Sequence, residues 1–168
     1  MRYLIDTCLF VSIIEVRQVS DDVEYILCDY ENLIYVSSES IKEITHLFQN
    51  RKIQFQKGKK PADFEIFDFV ENKLNMVVKY VAKEHLQTMA KLPVVSDHND
   101  PSDRLIISQA ITENMPLISS DSKFPKYQKY GLISNKTINH QTNKQHQTTI
   151  NLETIRNLKT QKLRNPET

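Results

Sequence analysis

Tyr3-Leu4-Ile5-Asp6-Thr7 is a short apolar run that stops at an acid. A run of this length, closed by polar residues, reads as a buried strand rather than a helix. The same pattern recurs at Leu33-Ile34-Tyr35-Val36, which ends in Ser37-Ser38, at Val77-Val78-Lys79-Tyr80-Val81, and at Leu117-Ile118-Ser119-Ser120-Asp121. Stretches with helical spacing lie between these runs. Leu9, Phe10, Ile13 and Ile14 form one stripe. Val23, Ile26 and Leu27 follow Ser20 as N-cap, with Asp21 and Asp22 in the first turn. Further helices are expected over Ile41, Ile44, Leu47 and Phe48; from Pro61 through Phe64, Phe67, Val70 and Leu74; over Leu86, Met89 and Leu92; and from Asp100-Pro101 through Leu105, Ile106, Ala110 and Ile111. Pro116 ends the last of them near Asn114. Strands alternating with helices predict an α/β chain: a three-layer α/β/α domain around a central, mainly parallel sheet.

Composition narrows the chemistry. The chain has 168 residues, enough for one domain with a proper core. It has two glycines, Gly58 and Gly131, where average usage of about 7% would give roughly a dozen. Every phosphate site built on a glycine loop is thereby excluded. Cys8 and Cys28 sit in apolar surroundings without metal spacing, which suits buried thiols in a reducing cytoplasm. No apolar stretch approaches a membrane span, and Asp6 falls too early for a secretory signal.

The net charge of +1 hides an asymmetry. Residues 1–134 carry 16 Lys+Arg and 19 Asp+Glu; residues 135–168 carry six and two. Seventeen of the last 34 residues are Asn, Gln or Thr, and six are aliphatic, too few to offset ordering entropy by burial. The expected organisation is a folded domain over 1–134 and a polar, basic, disordered tail over 135–168.

In an open α/β sheet, ligands bind beyond the carboxyl ends of the strands. Asp6 and Asp121 follow two strands, Glu43 lies one helical turn past a third, and Asp100 and Asp103 open the helix before the last strand. Carboxylates gathered without matching bases repel one another unless a cation binds, and oxygen ligands alone select Mg²⁺ or Mn²⁺ over Zn²⁺. Structural roles stand beside this reading. Ser40-Ile41-Lys42-Glu43 fits a capping box, and Asp100 fits an N-cap with Pro101 at the first helical position.

Tyr3-Leu4-Ile5-Asp6-Thr7, Ser37-x-x-Ser40-x-x-Glu43, His98-x-Asp100-Pro101-x-Asp103-Arg104-Leu105-Ile106-Ile107-x-Gln109-Ala110 and Ser119-Ser120-Asp121-x-x-Phe124, in this order, resemble a PIN domain over about residues 2–131. The order and spacing are most similar to bacterial VapC-type toxins of type II toxin–antitoxin systems. The resemblance implies a Mg²⁺-dependent endoribonuclease with an acid quartet of Asp6, Glu43, Asp103 and Asp121. It also implies a structured RNA substrate, a homodimer, and silencing by a small antitoxin. The sequence departs from the family at Cys8, at Lys42 before the Glu, and in lacking a glycine soon after that helix, where Gln49-Asn50-Arg51-Lys52 stands.

On this reading a bound Mg²⁺, or Mn²⁺, polarises the scissile phosphate and favours hydroxide from one of its waters. Asp6 and Asp103 are the most direct ligands expected, with Asp121 and Glu43 completing the set. Asp100, Thr7, Ser119 and Ser120 are accessory candidates beside them. Arg51, Lys52, Lys57, Lys59 and Lys60 place five positive charges in ten residues, a candidate RNA contact or a solvated loop. Arg104 is expected in a structural ion pair. A haloacid-dehalogenase-like phosphatase needs a second Asp where Cys8 stands and is excluded. A housekeeping RNA-processing or structure-specific nuclease and a catalytically silent RNA- or protein-binding module stay open at this point.

Overall fold

The computed structural model of the chain describes residues 1–53, 65–95, 99–119, 121 and 123–135. Its elements are β1 (Arg2–Ile5), α1 (Thr7–Ile14), α2 (Asp21–Cys28), β2 (Leu33–Ser37), α3 (Ser38–Gln49) and α4 (Ile66–Asp68), which runs on into a π turn at Phe69–Lys73. There follow β3 (Val77–Lys79), α5 (Lys83–Lys91), α6 (Pro101–Thr112), β4 (Leu117–Ile118), a 3₁₀ helix (Phe124–Tyr130) and β5 (Ser134–Asn135). The strands form one sheet in the order β3-β2-β1-β4-β5, with every neighbouring pair parallel. The α/β class and the alternation of strand and helix are as the sequence predicts.

Successive side chains of a strand point to opposite faces, so a sheet covered on both sides needs apolar residues at every position. β1 meets that demand from Tyr3 to Ile5. Tyr3 and Ile5 join a core with Leu9, Phe10, Ile13 and Ile14 of α1, Val23 and Leu27 of α2, and Ile41 and Ile44 of α3. Leu4 turns the other way, into a second core with Ile106, Ile107 and Ala110 of α6 and with Phe124 and Tyr127. Two cores on opposite faces of one sheet make the three layers. The order of strands reverses between β1 and β4, which opens a crevice at their carboxyl ends.

Several local expectations are corrected. α3 starts at Ser38 with Ser37 as N-cap, its hydroxyl accepting from Glu39 N–H at 3.0 Å, so Ser40 and Glu43 form no capping box. The helix expected from Pro61 lies partly outside the described residues and is seen from Ile66. Its π turn, with Leu74 N–H bonded to Phe69 O, shifts the buried face so that Phe67 is 44% exposed while Val70 and Leu74 are buried. α5 buries His85 rather than Leu86, because the imidazole Nδ1 accepts from Ala82 N–H at 2.9 Å while Nε2 lies 3.1 Å from Glu113 Oε1. Lys79 Nζ bonds the same carboxylate and lowers its proton affinity, with His85 adding to the effect. Arg104 forms no ion pair among the described residues; its Nη2 donates to Leu92 O at 2.8 Å and Met89 O at 3.3 Å, closing the end of α5. β5, which composition did not reveal, lies at the expected boundary and pairs Asn135 with Ile118. Residues 136–168 lie outside the described residues.

Scarce glycine leaves its mark on the helix ends. α1 closes in a Schellman turn, with Arg17 N–H to Ser12 O and Val16 N–H to Ile13 O, and the left-handed position is Val16, φ 56°. A β-branched residue is strained there by roughly 1–2 kcal/mol. Val16→Gly is therefore expected to stabilise the fold by about 1 kcal/mol, the relief of strain outweighing glycine's greater unfolded-state freedom. Urea denaturation of the variant against wild type checks this, and a loss of stability would contradict it.

Candidate active site

The site is built from side chains at the ends of β1 and β4 and on the first two turns of α1, α3 and α6. Asp6 closes β1 and is the N-cap of α1, with Oδ1 accepting from Leu9 N–H at 2.7 Å. Its residue is 1% exposed. Oδ2 accepts from the Ser119 hydroxyl at 2.5 Å, and Ser119 Oγ in turn accepts Asp121 N–H at 2.9 Å. One hydroxyl thus ties the carboxyl end of β1 to that of β4. Asp121 Oδ1 takes the backbone N–H of Lys123 at 2.8 Å, which fixes the turn after β4.

α3 brings in the third acid. Thr7, the first residue of α1, donates its hydroxyl to Glu43 Oε2 at 2.5 Å and lies 3.0 Å from the buried Ser40 hydroxyl. α6 brings in the fourth. Asp100 is its N-cap, with Oδ1 2.8 Å from Ser102 N and 3.4 Å from Asp103 N, and Pro101 follows at the first turn. Asp100 thus has the capping role that its sequence context allows, and Asp103 lies one turn in. Ser102 Oγ donates to Glu39 Oε1 at 2.7 Å, joining the starts of α6 and α3, and Lys42 pairs with the same Glu39 carboxylate.

Electrostatics report the same proximity. Burial pushes the Asp6 carboxyl up to about 6, the hydrogen bonds from Ser119 and Leu9 oppose that rise, and the charges of Asp103 and Asp121 add to it. Cys8, on the first turn of α1, is exposed and not the buried thiol its apolar neighbours suggest. Desolvation by the surrounding protein pushes its thiol up to about 11, and the charges of Asp6, Asp103, Asp121 and Glu43 add to the rise. Cys8 therefore senses all four acids. Among the described residues, no three Asp, Glu, His or Cys side chains converge into a ready-made metal ligand set. The donor chemistry still fits a hard divalent cation: the groups are carboxylates, and Asp6 carries a burial penalty that a cation would offset.

Other sequence candidates are placed as follows. Arg51 and Lys52 are exposed at the far end of α3, about 12 Å along the helix axis from Glu43. Arg51 occupies the left-handed position, φ 55°, that ends α3, where glycine is the usual residue. Lys57, Lys59, Lys60 and Ser120 lie outside the described residues. Glu39 and Ser102 were not singled out by sequence, because their role depends on a contact between two helices far apart in the chain.

The PIN-domain family model matches residues 3–130, and the chain belongs to that family, whose members are in general nucleases. A solved structure with the same fold is VapBC2 from Rickettsia felis bound to a DNA fragment from their promoter. The likeness has a TM-score of 0.58 at 19% identity and covers 80% of this chain and 98% of that one. No curated protein matches the sequence.

The Asp6 shift carries a pH prediction. The folded carboxyl holds its proton up to about pH 6 and the unfolded one only to 3.8. The protonated form therefore favours the fold; this contribution is whole below pH 3.8 and is lost as pH rises through 6. In the presence of chelator, the stability of wild type relative to Asp6→Asn is expected to fall by about 3 kcal/mol from pH 3.8 to 7. Urea melts across that range measure it; a pH-independent difference would contradict the burial penalty at Asp6.

Proposed function

We propose that this chain is a Mg²⁺-dependent endoribonuclease, with Mn²⁺ able to substitute, acting in the cytoplasm as the toxin of a type II toxin–antitoxin pair. The observation that carries the reading is the hydrogen bonding of acids at the crevice: Ser119 bonds both the Asp6 carboxylate and the Asp121 N–H, and Thr7 bonds Glu43. Asp6 responds to Asp103 and Asp121, and Cys8 responds to these three and to Glu43, in a chain of the PIN-domain family. Among the described residues no helix is long and apolar enough to cross a membrane.

Asp6, Asp103, Asp121 and Glu43 would hold the ion. When bound, Mg²⁺ supplies charge for the scissile phosphate and a water of lowered pKa. The protein's part is orientation. Leu9 N–H and Ser119 O–H fix the Asp6 plane, Thr7 O–H fixes Glu43, and Lys123 N–H fixes Asp121. Asp100 holds the first turn of α6 and with it the backbone of Asp103. These are neutral donors, so they aim the carboxylates without cancelling the charge a cation needs.

The fold shared with VapBC2 supports an antitoxin as partner, expected to be encoded beside this chain, and a homodimer is the expected assembly. One observation favours a second reading, a catalytically silent binding module: the described acids do not converge as a ready-made triad. The same experiment decides between the two. Labelled structured RNA titrated with Mg²⁺ is expected to be cut to fragments with 5′-phosphate ends, and Asp6→Asn and Asp103→Asn are expected to abolish cutting. Thr7→Val, which frees Glu43, is expected to lower the rate about 10- to 100-fold. Absence of metal-dependent cleavage, or cleavage that survives both Asn variants, would refute the nuclease.

A further inference from the structure

The turn after Asp121 leads into an unusual helix. Lys123-Phe124-Pro125-Lys126-Tyr127-Gln128-Lys129-Tyr130 repeats a Lys-aromatic pair every three residues, with no acid in the stretch. Phe124–Tyr130 is a 3₁₀ helix of seven residues, where such helices rarely exceed four. At three residues per turn, positions i and i+3 eclipse one another, so sequence and helix periods coincide. Phe124 and Tyr127 are buried and Tyr130 packs against the same core, which fixes one face. That leaves Lys123, Lys126 and Lys129 in a single row on the next face. Lys126 and Lys129 are exposed and Lys123 is half-buried.

The row is held at both ends. Lys123 N–H donates to Asp121 Oδ1 at 2.8 Å and Phe124 N–H to Asp121 O at 3.3 Å, so its start is tied to a proposed site acid. At the far end Gly131 N–H bonds Gln128 O at 3.0 Å, and Gly131 takes the left-handed φ of 98° that closes the helix. Lys129 Nζ lies 4.9 Å above the Tyr130 ring, which steadies its stem. Lys126 and Lys129 also border a cleft of about 420 Å³ lined by Val95, Pro125 and Gln128.

We infer that this 3₁₀ ridge is the track on which the RNA backbone lies as it leaves the carboxylate crevice. A rise of about 2 Å per residue sets the lysines about 6 Å apart along the axis. That spacing is comparable to the step between phosphates of an extended strand, so each ammonium meets one phosphate. The ridge begins two residues after Asp121, whereas Arg51 and Lys52 stand at the distal end of α3. An extended peptide with an acid at every second residue presents them about 6.6 Å apart on one face, so spacing alone does not choose between the two. The start of the ridge beside the acids of a PIN-domain chain favours RNA. The inference rests on the nuclease reading only for the identity of the polyanion.

The test uses the full chain carrying Asp103→Asn, so that RNA is bound and not cut. Anisotropy of a fluorescein-labelled single-stranded RNA is followed over a salt series, with and without Lys123→Gln, Lys126→Gln and Lys129→Gln together. The triple variant is expected to bind more weakly and to reduce the steepness of log K against log salt by about 2, near 0.7 per lysine. The corresponding triple Arg variant is expected to keep the wild-type slope, and an unchanged melting temperature verifies that the Gln variant is folded. An unchanged slope in that folded variant would overturn the ridge. So would ridge-dependent binding of a poly-glutamate peptide with no ridge dependence for RNA. The two proposals fail separately. Cleavage that needs Asp6 but ignores the lysines removes the ridge alone; ridge-dependent RNA binding by a wild-type chain that never cuts removes the nuclease alone.

Discussion

The Asp6 carboxylate is the point on which the crevice depends. It sits where β1 ends and α1 begins, beside the strand-order reversal, and it is almost wholly buried. A buried carboxylate is tolerated only when its oxygens are bonded. Oδ1 takes Leu9 N–H and Oδ2 takes Ser119 O–H, so the same group starts a helix and binds the end of β4 to that of β1. Capping and site chemistry are therefore not rival accounts of this residue. The cap uses one direction on one oxygen, and a carboxylate has about four lone-pair sites.

The surrounding acids divide their work by the kind of partner each has. Glu39 is matched by Lys42, and with Ser102 it acts as a clasp between the starts of α3 and α6. Glu43 and Asp6 receive hydroxyl donors instead, Thr7 and Ser119. A hydroxyl fixes a carboxylate's plane and leaves its charge intact; an ammonium would fix it and neutralise it. The pattern concentrates negative charge at the crevice and compensates it one helical turn away. Cys8 registers the result, its thiol held neutral first by desolvation and then by all four acids.

Most of this was legible in the sequence where local rules and tertiary demands agree. The strand at Tyr3–Ile5, the Ser20 cap, and the Asp100-Pro101 start all follow from the residues themselves, because short-range hydrogen bonds decide them. The misses share a cause. Ser40 and Glu43 have capping-box spacing, yet the hydroxyl of Ser37 was available three residues earlier and took the cap. The spacing points Leu86 inward, yet His85 takes that place because Ala82 N–H and Glu113, 28 positions away in sequence, supply both ring nitrogens with partners. Arg104 beside an acid suggests an ion pair, whereas the open carbonyls at the end of α5 are what it reaches. β5 has only two residues, too few for any periodicity, and exists because β4 offers an edge.

A net charge of +1 leaves little long-range field to draw a polyanion toward the protein. At physiological salt, charges are screened beyond about 8 Å, so each ammonium acts on little more than the phosphate it touches. Carboxylates at the crevice also repel the strand they are proposed to cut. Affinity must then come from contacts in contiguous register, which demands a rigid row rather than a diffuse patch. A 3₁₀ helix provides one: its eclipsed side chains keep lysines in line, and its aromatic face anchors them to the core beneath. The lysines stand immediately beyond the acids because the Asp121 carboxylate itself closes the turn from which that helix starts.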